Sequence, residues 1–514
     1  MSAFEQLLGI LLVAVLLSAL ARRVGAPYPA FLALGGAVLA FLPGVPTFTI
    51  DPEVALALFV APVLLDAAYD TSPRDLRDHW VPVASLAVVS VGLTTVVVAV
   101  VARALVPDLP VAAAVALGAI VAPPDAAAAI SVLRQLRPPH RVMTILSGES
   151  LLNDATALLI YRLAVGAVAV SAFSVQAAAP SLLLILAGST ALGLGLSWVA
   201  LRVTPAIRDA PTAIIVQFTL TFGVWILADR LGLSAVLTMV CFAIAVARRA
   251  PQSTPARIRV PSYAVWDTAV FLLNVLAFSY IGLQIRPILT RLAPGLRTRY
   301  LWIAAVILAT VIVVRIAWVM LHATAALAWI RRFGFHPRRP IQPPTRKGAV
   351  IISWAGMRGI ITLAAAAALP AAFPYRGLIV LTAFAVVLGT LVVQGLTLRP
   401  LIRALHVPGD DPVEREAEAA RQRALRAALS TFEGDKSPEA EAVRQELTAH
   451  LSPARAGPPS SEVSAASHEE IHRRALSAAR REVFDMRARE EIGDDAFHRL
   501  EEQLDWVELG GGGE

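Results

Sequence analysis

Long apolar runs that lack charged residues recur along residues 1–405. An α-helix needs about 20 such residues to cross roughly 30 Å of hydrocarbon. The runs do not alternate between polar and apolar residues with a period of two, as the strands of a membrane barrel do. Because open sheet edges cannot face lipid, the pattern predicts an all-α integral membrane protein. The thirteen predicted transmembrane helices lie at roughly 6–21, 28–42, 53–69, 80–105, 111–134, 142–170, 180–203, 211–228, 232–249, 264–285, 300–330, 348–370 and 376–404.

The pattern changes abruptly after residue 409, where the long apolar runs give way to Ala, Glu and Arg with spaced Leu. Such a sequence is typical of short amphipathic helices in water. We therefore predict two domains, a transmembrane domain over residues 1–409 and a short helical cytoplasmic tail over residues 410–514. A proline-rich stretch at 452–461 predicts a linker within the tail. The tail is either a solvated appendage or a regulatory or dimer-stabilising element, and the sequence leaves both readings open.

Charge is distributed unevenly between these two parts. Residues 1–409 hold 31 Lys/Arg against 14 Asp/Glu, a net +17, whereas residues 410–514 hold 14 against 24, a net −10. Within the first part, alternate loops concentrate the positive charge, with 19 Lys/Arg on one side of the membrane. These Arg-rich loops contain Arg22, Arg23, Arg74, Arg77, Arg134, Arg137, Arg141, Arg202, Arg208, Arg248, Arg249, Arg257, Arg259 and the basic cluster at 331–347.

The charge asymmetry predicts the orientation, because cytoplasmic loops of membrane proteins carry the excess of Lys and Arg. We expect a multi-pass protein of the plasma membrane, in bacteria the inner membrane, with its N-terminus outside and its tail in the cytoplasm. The loop 286–299, which holds four arginines on the opposite side, is an exception.

Composition narrows the classes of function. The chain is 57% hydrophobic and only 16% charged, with a mean hydropathy of +0.66. A single cysteine, Cys241, excludes a disulfide framework or a cysteine metal cluster within one chain. Only His322 among the nine histidines lies well inside a predicted span, which argues against a histidine-based metalloenzyme. We therefore expect no catalytic residues and no cofactor. We also expect no nucleic-acid partner, because membrane orientation explains the basic charge.

Ionisable residues inside the predicted spans are the candidates for function, because each costs roughly 2.5–3.5 kcal/mol on insertion scales. Those near the middle of a span are Asp66, Asp125, Glu149, Asp154, Arg162, Asp267, Arg315 and Arg358. The densest cluster lies at 147–154, with the sequence Ser-Gly-Glu-Ser-Leu-Leu-Asn-Asp. On a helix, Glu149, Ser150, Asn153 and Asp154 fall within an arc of about 140°. Oxygen ligands on one face suit a small hard cation, and a polar network for helix packing is the alternative.

Two predicted spans contain interruptions. Span five holds Val-Ala-Pro-Pro-Asp at 121–125, and two adjacent prolines remove backbone donors and break a helix. Span twelve holds Gly356 and Gly359 on either side of Arg358. Irregular backbone at membrane depth is tolerated only where it is buried in protein or lines a cavity. Two interrupted spans, seven apart in order, predict discontinuous core helices within inverted repeats.

The motifs at these positions resemble those of a known family. The segment 148–154, Gly-Glu-Ser-Leu-Leu-Asn-Asp, is similar to a signature of the monovalent cation:proton antiporters that include NhaP-type and animal sodium/proton exchangers. The segment 354–359, Trp-Ala-Gly-Met-Arg-Gly, resembles the arginine-bearing broken helix of that family, and 265–284 resembles a third segment. The resemblance covers most of residues 1–405.

The resemblance implies a role for each site residue. Asp154 would carry the cation and the proton, in a Na⁺ site completed by Asp125 and Ser150. Asn153 would orient its neighbours, and Glu149 would pair with Arg358 as a structural ion pair. The family's common Thr-Asp-Pro pattern at the first break is Pro124-Asp125-Ala126 here, so Pro124 offers only its carbonyl oxygen.

The resemblance also implies the function. The chain would exchange Na⁺, or K⁺ or Li⁺, for H⁺ across the plasma membrane by alternating access, as a homodimer that serves pH homeostasis. The pair Asn153-Asp154 goes with electroneutral exchange in that family, where an Asp-Asp pair goes with electrogenic exchange. An organic-anion symporter on the same fold, a cation channel and a membrane-embedded enzyme are the alternatives.

Overall fold

The structure is a computed structural model of the 514-residue chain, and it describes residues 3–24, 26–42, 50–69, 71–136, 138–170, 175–334, 342–407, 412–451 and 465–511. Within these residues all regular structure is helical. The helices of the first part are α1 (Ala3–Val24), α2 (Tyr28–Leu39), α3 (Pro52–Tyr69), α4 (Pro73–Asp78), α5 (Trp80–Ala84), α6 (Val91–Leu105), α7 (Val111–Val121), α8 (Ala126–Leu136), α9 (His140–Val170), α10 (Val175–Val203), α11 (Ala210–Arg230), α12 (Ala235–Ser253), α13 (Ala256–Leu283), α14 (Ile285–Thr290), α15 (Pro294–Phe333), α16 (Arg346–Trp354), α17 (Ile360–Ala367), α18 (Arg376–Thr390) and α19 (Leu396–Leu405).

Short segments of other helical geometry continue two of these helices. The π-helical turn Ser85–Ser90 joins α5 to α6, and a second π-helical turn, Leu391–Gly395, joins α18 to α19. The tail helices are α20 (Pro412–Ser430), α21 (Pro438–Leu451), α22 (Ala465–Ala488) and α23 (Asp494–Gly511).

The predicted all-α membrane architecture is confirmed. In the described part of the chain, nine helical segments are long and apolar enough to cross a membrane. They are Pro52–Tyr69, Trp80–Leu105, Val111–Arg134, His140–Val168, Leu183–Ala206, Ala210–Arg230, Ala256–Thr290, Pro294–Phe333 and Arg376–Leu405. The other predicted spans fall on α1, α2, α12 and the pair α16–α17, so the count of thirteen stays a prediction.

Glycines allow the membrane helices to pack closely. A Cβ atom on Gly282 of α13 would lie 2.2 Å from the carbonyl oxygen of Ala33 on α2. A Cβ atom on Gly118 of α7 would lie 2.4 Å from the carbonyl oxygen of Thr95 on α6. Because lipid tails are as apolar as leucine, membrane helices associate through such close backbone packing rather than through a hydrophobic driving force.

The tail helices have an apolar core of their own. Val443, Leu476, Phe497, Leu500 and Leu504 are buried together where α21, α22 and α23 meet α20. The boundary predicted at 409/410 and the linker predicted at 452–461 lie outside the described residues. Two domains therefore stay a prediction, although a separate core is what an independent tail domain requires.

Acidic residues of the tail contact the Arg-rich loops. Arg74 pairs with Glu416 at 2.9 Å, and Arg77 pairs with Glu490 at 2.5 Å. Both arginines follow α3 on the side where the predicted Arg-rich loops lie. The net negative tail and the net positive loops are thus on one side of the membrane, whichever compartment that side faces.

The tail also reaches the start of α9. His140, the first residue of α9, lies with Nε2 3.2 Å from Oδ2 of Asp75 on α4, and its Nδ1 is 4.0 Å from Asp495 of α23. Burial opposes ionisation of Asp75, but His140 and Arg74 outweigh that effect and hold the pKa of Asp75 below its usual value. A carboxylate with a lowered pKa stabilises the folded state at neutral pH, and this contribution fades only as the pH falls below about 4.

One deeply buried contact between the tail and the membrane helices is ionic. Arg259 of α13 donates from Nε to Oδ2 of Asp505 at 2.7 Å, from Nη2 to its Oδ1, and pairs through Nη1 with Glu501 at 2.9 Å. Arg480 of α22 donates to the same Asp505 at 2.6 Å. Arg259 and Asp505 are 4% and 0% exposed, so neither charge has water as an alternative partner.

Replacing Asp505 by asparagine should loosen this docking. Removing one charge of a buried ionic network leaves the others uncompensated, typically at a cost of about 3–5 kcal/mol. We expect a lower melting temperature in detergent and faster limited proteolysis of α20–α23. Glu508→Gln is the matched control, because Glu508 pairs with Arg480 from a side chain that is 41% exposed, and exposed pairs contribute about 0–1 kcal/mol. A protease-resistant tail in Asp505→Asn would contradict the importance of the buried pair.

Candidate ion-binding site

The helix α9 carries the densest group of buried polar side chains in the predicted site. Glu149, Asn153 and Asp154 are 1%, 0% and 6% exposed, and Ser150 is half-buried. They share one face of the helix because positions four apart lie one turn above each other. Because these side chains are buried, this polar face is directed into the protein.

Both predicted interruptions are present, and they touch. The first lies between α7 and α8 and the second between α16 and α17. The backbone N–H of Asp125 in the first break donates to the carbonyl oxygen of Met357 in the second at 2.6 Å. A Cβ atom on Gly359 would lie 1.7 Å from Oδ2 of Asp125, so only glycine allows this approach. The two breaks therefore form a single crossing point beside α9.

Side chains of α9 hold the first break in place. The Nδ2 group of Asn153 donates to the carbonyl oxygen of Pro124 at 2.7 Å. The backbone N–H of Ala126 donates to Oγ of Ser150 at 3.4 Å, and Oδ1 of Asp125 accepts from the N–H of Ala127 at 2.9 Å. These bonds satisfy backbone groups that the unwound stretch leaves without helical partners. The carbonyl oxygen of Pro124 retains a second lone pair.

A small cavity of about 50 Å³ lies at the crossing. Its polar lining comes from Asp125, Ser150, Asp154 and Asn274. Its apolar lining includes Phe59 and Val60 of α3, Phe278 of α13 and Ile360 of α17. The three residues of the predicted Na⁺ site thus face one cavity, whereas Pro124 and Asn153 lie behind it. The volume is sufficient for an ion with a few waters, since one water needs about 10–15 Å³ by this kind of measure.

Asn274 lines this cavity without a role having been predicted for it. In the sequence it is a neutral polar residue inside span ten, within the segment 265–284 that resembles a segment of the antiporter family. Asn274 of α13 thus adds a carboxamide group to a lining that also contains Asp154 of α9, and carboxamide oxygens are ligands for hard cations.

The predicted partner of Glu149 is wrong. Arg315 of α15 donates from Nη1 to Oε1 of Glu149 at 2.6 Å and from Nη2 to Oε2 at 2.9 Å. Both side chains are 2% exposed. A planar guanidinium matches a carboxylate in this two-bond geometry, and Gly356 leaves room for it, because a Cβ atom there would lie 2.2 Å from Cδ of Arg315. An arginine in the middle of span eleven was the available signal, since such a charge requires a buried partner.

Arg358 binds backbone carbonyl groups instead of Glu149. Its Nε donates to the carbonyl oxygen of Val121 at 3.1 Å, its Nη2 to that of Ala122 at 3.2 Å, and its Nη1 to that of Gly356. These carbonyl groups belong to the C-terminal ends of α7 and α16, where the helix dipole carries partial negative charge. Arg358 lies in the break itself, so its guanidinium group reaches the carbonyl groups that lack helical partners. Its positive charge offsets the partial negative charge of the two helix ends.

Comparison with known proteins shows the family of this chain. Residues 10–404 match the family model described as sodium/hydrogen exchanger, transmembrane. The chain belongs to the sodium/hydrogen exchanger family. This is a family of monovalent cation:proton antiporters, and the matched residues end within α19, before the tail begins.

Named relatives of this exchanger come from several bacteria. It is 33% identical to an uncharacterised Na⁺/H⁺ exchanger of Mycobacterium tuberculosis over 80% of its own length and 76% of that protein. It is 27% identical to a sodium, potassium, lithium and rubidium/H⁺ antiporter of Bacillus subtilis, covering 80% and 62% of the two chains. It is 28% identical to a low-affinity Na⁺/H⁺ antiporter of Synechocystis, covering 86% and 84%.

A solved structure shares the fold of this exchanger. The sodium proton antiporter NhaP1 of Methanocaldococcus jannaschii superposes with a TM-score of 0.61, over 80% of this chain and all of that one. The sequence identity is 17%, so the likeness concerns the fold alone.

The pair Glu149–Arg315 should show strong coupling in a double-mutant cycle. Glu149→Gln and Arg315→Gln should each lower the melting temperature in detergent, because each strands a buried charge at a typical cost of about 3–5 kcal/mol. The double variant should cost much less than the sum of the two. As a control, the cycle of Glu149→Gln with Arg358→Gln should show weaker coupling, because Arg358 is held by carbonyl groups. Equal coupling in both cycles would show that Arg315 is not the specific partner.

Proposed function

We propose that this exchanger family member is a secondary active antiporter that exchanges Na⁺, with K⁺ or Li⁺ as alternative substrates, for H⁺ at the cavity between Asp125 and Asp154. The observation that carries the proposal is the placing of two carboxyl groups and a hydroxyl group around one small buried cavity. Oxygen ligands of this kind suit hard cations, and the same carboxyl groups accept protons.

The charge balance around the cavity supports exchange rather than simple binding. No lysine or arginine lines the cavity within the described residues. The nearby arginines are committed elsewhere, Arg315 to Glu149 and Arg358 to carbonyl groups. An uncompensated carboxylate in a medium of low dielectric constant is expensive. Asp154 is therefore stabilised by either a cation or a proton, and the two compete for it.

The helices around the cavity suggest how the site is exposed to each side in turn. The apolar residues of α3 and α13 form one wall, and the crossing of the discontinuous helices with α9 forms the other. In transporters built on inverted repeats, alternating access moves one bundle against the other around a site near the midplane. We infer that the wall of α3 and α13 moves against the wall of α8, α9 and α17. In one state this movement opens the cavity to one side of the membrane, and in the other state to the opposite side.

The size and lining of the cavity disfavour the main alternative. A volume of about 50 Å³ is too small for an organic anion, and ligand pockets for organic molecules are about 300–1,000 Å³. An anion would also meet two carboxyl groups and, among the described lining residues, no lysine or arginine. The names of the relatives, which include Na⁺/H⁺ and sodium, potassium, lithium and rubidium/H⁺ antiporters, support a monovalent metal cation as the substrate.

The orientation and assembly are part of the proposal. The Arg-rich loops and the tail share one side, and the positive-inside tendency assigns that side to the cytoplasm. The N-terminus is then outside. We also propose a homodimer in the plasma membrane that contributes to pH homeostasis, on the basis of family resemblance.

Asp154→Asn should abolish exchange. The substitution retains the size of the side chain but removes its negative charge and its titration. We expect no cation-induced pH change in everted vesicles, and loss of the stabilisation that a bound cation gives the folded protein. Asp125→Asn should impair exchange strongly, and Asp108→Asn, an exposed loop residue, should leave it intact. Exchange near the wild-type level in Asp154→Asn, at matched expression, would reject the site.

Exchange should be electroneutral, with one cation for one proton. Asn153 occupies the position beside Asp154, and the only lysines of the chain, Lys347 and Lys436, lie outside the described spans. The test is reconstituted Na⁺-driven exchange with the membrane potential clamped by valinomycin and K⁺. Each net charge moved across 100 mV is worth about 2.3 kcal/mol. A flux-reversal point set by the two ion gradients alone is expected, and a reversal point that follows the voltage would mean that Asp125 moves a second proton.

A further inference from the structure

A second and larger cavity lies on the side of the Arg-rich loops. Its volume is about 150 Å³, and it opens between α5, α9, α15 and α16 beneath the segment 342–345. It shares no lining residue with the cavity at Asp125 and Asp154. Nothing in the exchange chemistry uses it, so its lining requires a separate explanation.

The ionisable residues that line this cavity are basic. Arg141, His322 and Lys347 line it, and none of its lining residues is Asp or Glu. The half-buried guanidinium of Arg141 donates from Nη1 to the carbonyl oxygen of Gln342 at 3.4 Å. In the part of the chain that the structure describes, no ion pair of Arg141 with a carboxylate is found, although most buried arginines have one. The cavity therefore offers positive charge that no carboxylate of its lining balances.

Two helices begin at this cavity and add to its positive potential. Arg141 lies in the first turn of α9, and Lys347 and Gly348 lie in the first turn of the nine-residue α16. The first N–H groups of a helix lack helical partners and carry partial positive charge, which favours anions. The hydroxyl of Thr345 satisfies only one of them, the N–H of Gly348 at 3.0 Å.

Apart from Gln342 and Thr345, the rest of the lining is apolar, and much of it belongs to membrane helices. Leu86, Val142, Ile145, Val319 and Ile352 form this part of the wall. A ligand that fits both parts must carry an anionic group next to an apolar one. An acidic phospholipid has this combination, whereas inorganic phosphate or another small soluble anion has only the charge.

Exposed tryptophans mark the depth of the cavity. Trp80, the first residue of α5, is 63% exposed, and Trp329 of α15 is 65% exposed. Each lies within three positions of a lining residue on its own helix, Pro82 and Ala326. Tryptophan side chains gather at the level of the lipid headgroups. The basic part of the cavity is thus at the depth where headgroup phosphates lie.

We propose that this cavity binds the phosphate headgroup of an anionic membrane lipid, with Arg141 and Lys347 donating to the phosphate oxygens and the apolar wall receiving the start of an acyl chain. Basic pockets between transmembrane helices on the cytoplasmic side are suited to such headgroups. The bound lipid would bridge α9, which carries Asp154, and α16, which leads into the second break.

The proposal is tested by lipid binding, so its outcome is independent of exchange. The full-length protein in detergent is titrated with phosphatidylglycerol or with phosphatidylcholine of the same acyl chains, and the bound lipid is counted by native mass spectrometry. Arg141→Gln and Lys347→Gln are compared with the wild type. Lys347 is exposed, so its replacement does not endanger folding. The matched control is Arg257→Gln, which removes an exposed charge from the same side outside the cavity.

We expect tighter binding of phosphatidylglycerol than of phosphatidylcholine, and a loss of about tenfold in that affinity in Arg141→Gln and Lys347→Gln. Arg257→Gln should bind like the wild type. Equal phosphatidylglycerol binding in all variants would place the lipid elsewhere and overturn the proposal. Competition by inorganic phosphate or glycerol phosphate as tight as the lipid itself would also overturn it, because the occupant would then be a soluble anion.

Discussion

The requirement that every charge inside the membrane has a partner governs this structure. An unpaired ion in a medium of low dielectric constant costs so much free energy that the fold has to place a partner beside it. Glu149 and Arg315 neutralise each other through two hydrogen bonds between α9 and α15. Arg358 neutralises the carbonyl ends of two broken helices. These two arrangements hold the discontinuous helices against α9 and leave Asp154 and Asp125 in a cavity whose described lining contains no lysine or arginine.

The lack of a cationic partner for Asp125 and Asp154 in the lining of the cavity links structure to transport. A site that was fully paired by protein charges would have no need of a substrate cation, and a site with a built-in arginine would favour anions. The fold instead uses its arginines to stabilise the scaffold and keeps the cavity acidic. The same division explains why Arg315 and Arg358 are both near the site although neither lines the cavity.

Electrostatic complementarity also organises the side of the membrane where the tail lies. Acidic tail residues meet basic loop residues at Arg74, Arg77 and Arg259. Among the described residues that line the cavity at Arg141 and Lys347, none is an acidic residue of the tail. The surplus of positive charge on this side therefore has two kinds of partner. Some loop residues form ion pairs with the tail, and the cavity residues are proposed to bind a lipid of the bilayer.

The sequence by itself determined the features that depend on local pattern. Apolar runs of membrane length indicated helices, the prolines at 123 and 124 and the glycines at 356 and 359 indicated two breaks, and the segment 148–154 indicated the polar face of α9. The physical reason is that span length, helix breaking and helical periodicity are properties of neighbouring residues. The charges of the loops likewise indicated that the loops contacted by the tail lie on the same side of the membrane.

The tertiary structure decided which distant residues meet. Glu149 has two buried arginines as candidate partners, and only the packing of α15 against the second break selects Arg315 over Arg358. Asn274 of α13 lines the same cavity as Asp154 of α9, and Asp505 reaches Arg259 although 246 positions separate them. Such pairings depend on which helix faces are in contact, and a one-dimensional pattern of residue types specifies the faces but not their neighbours.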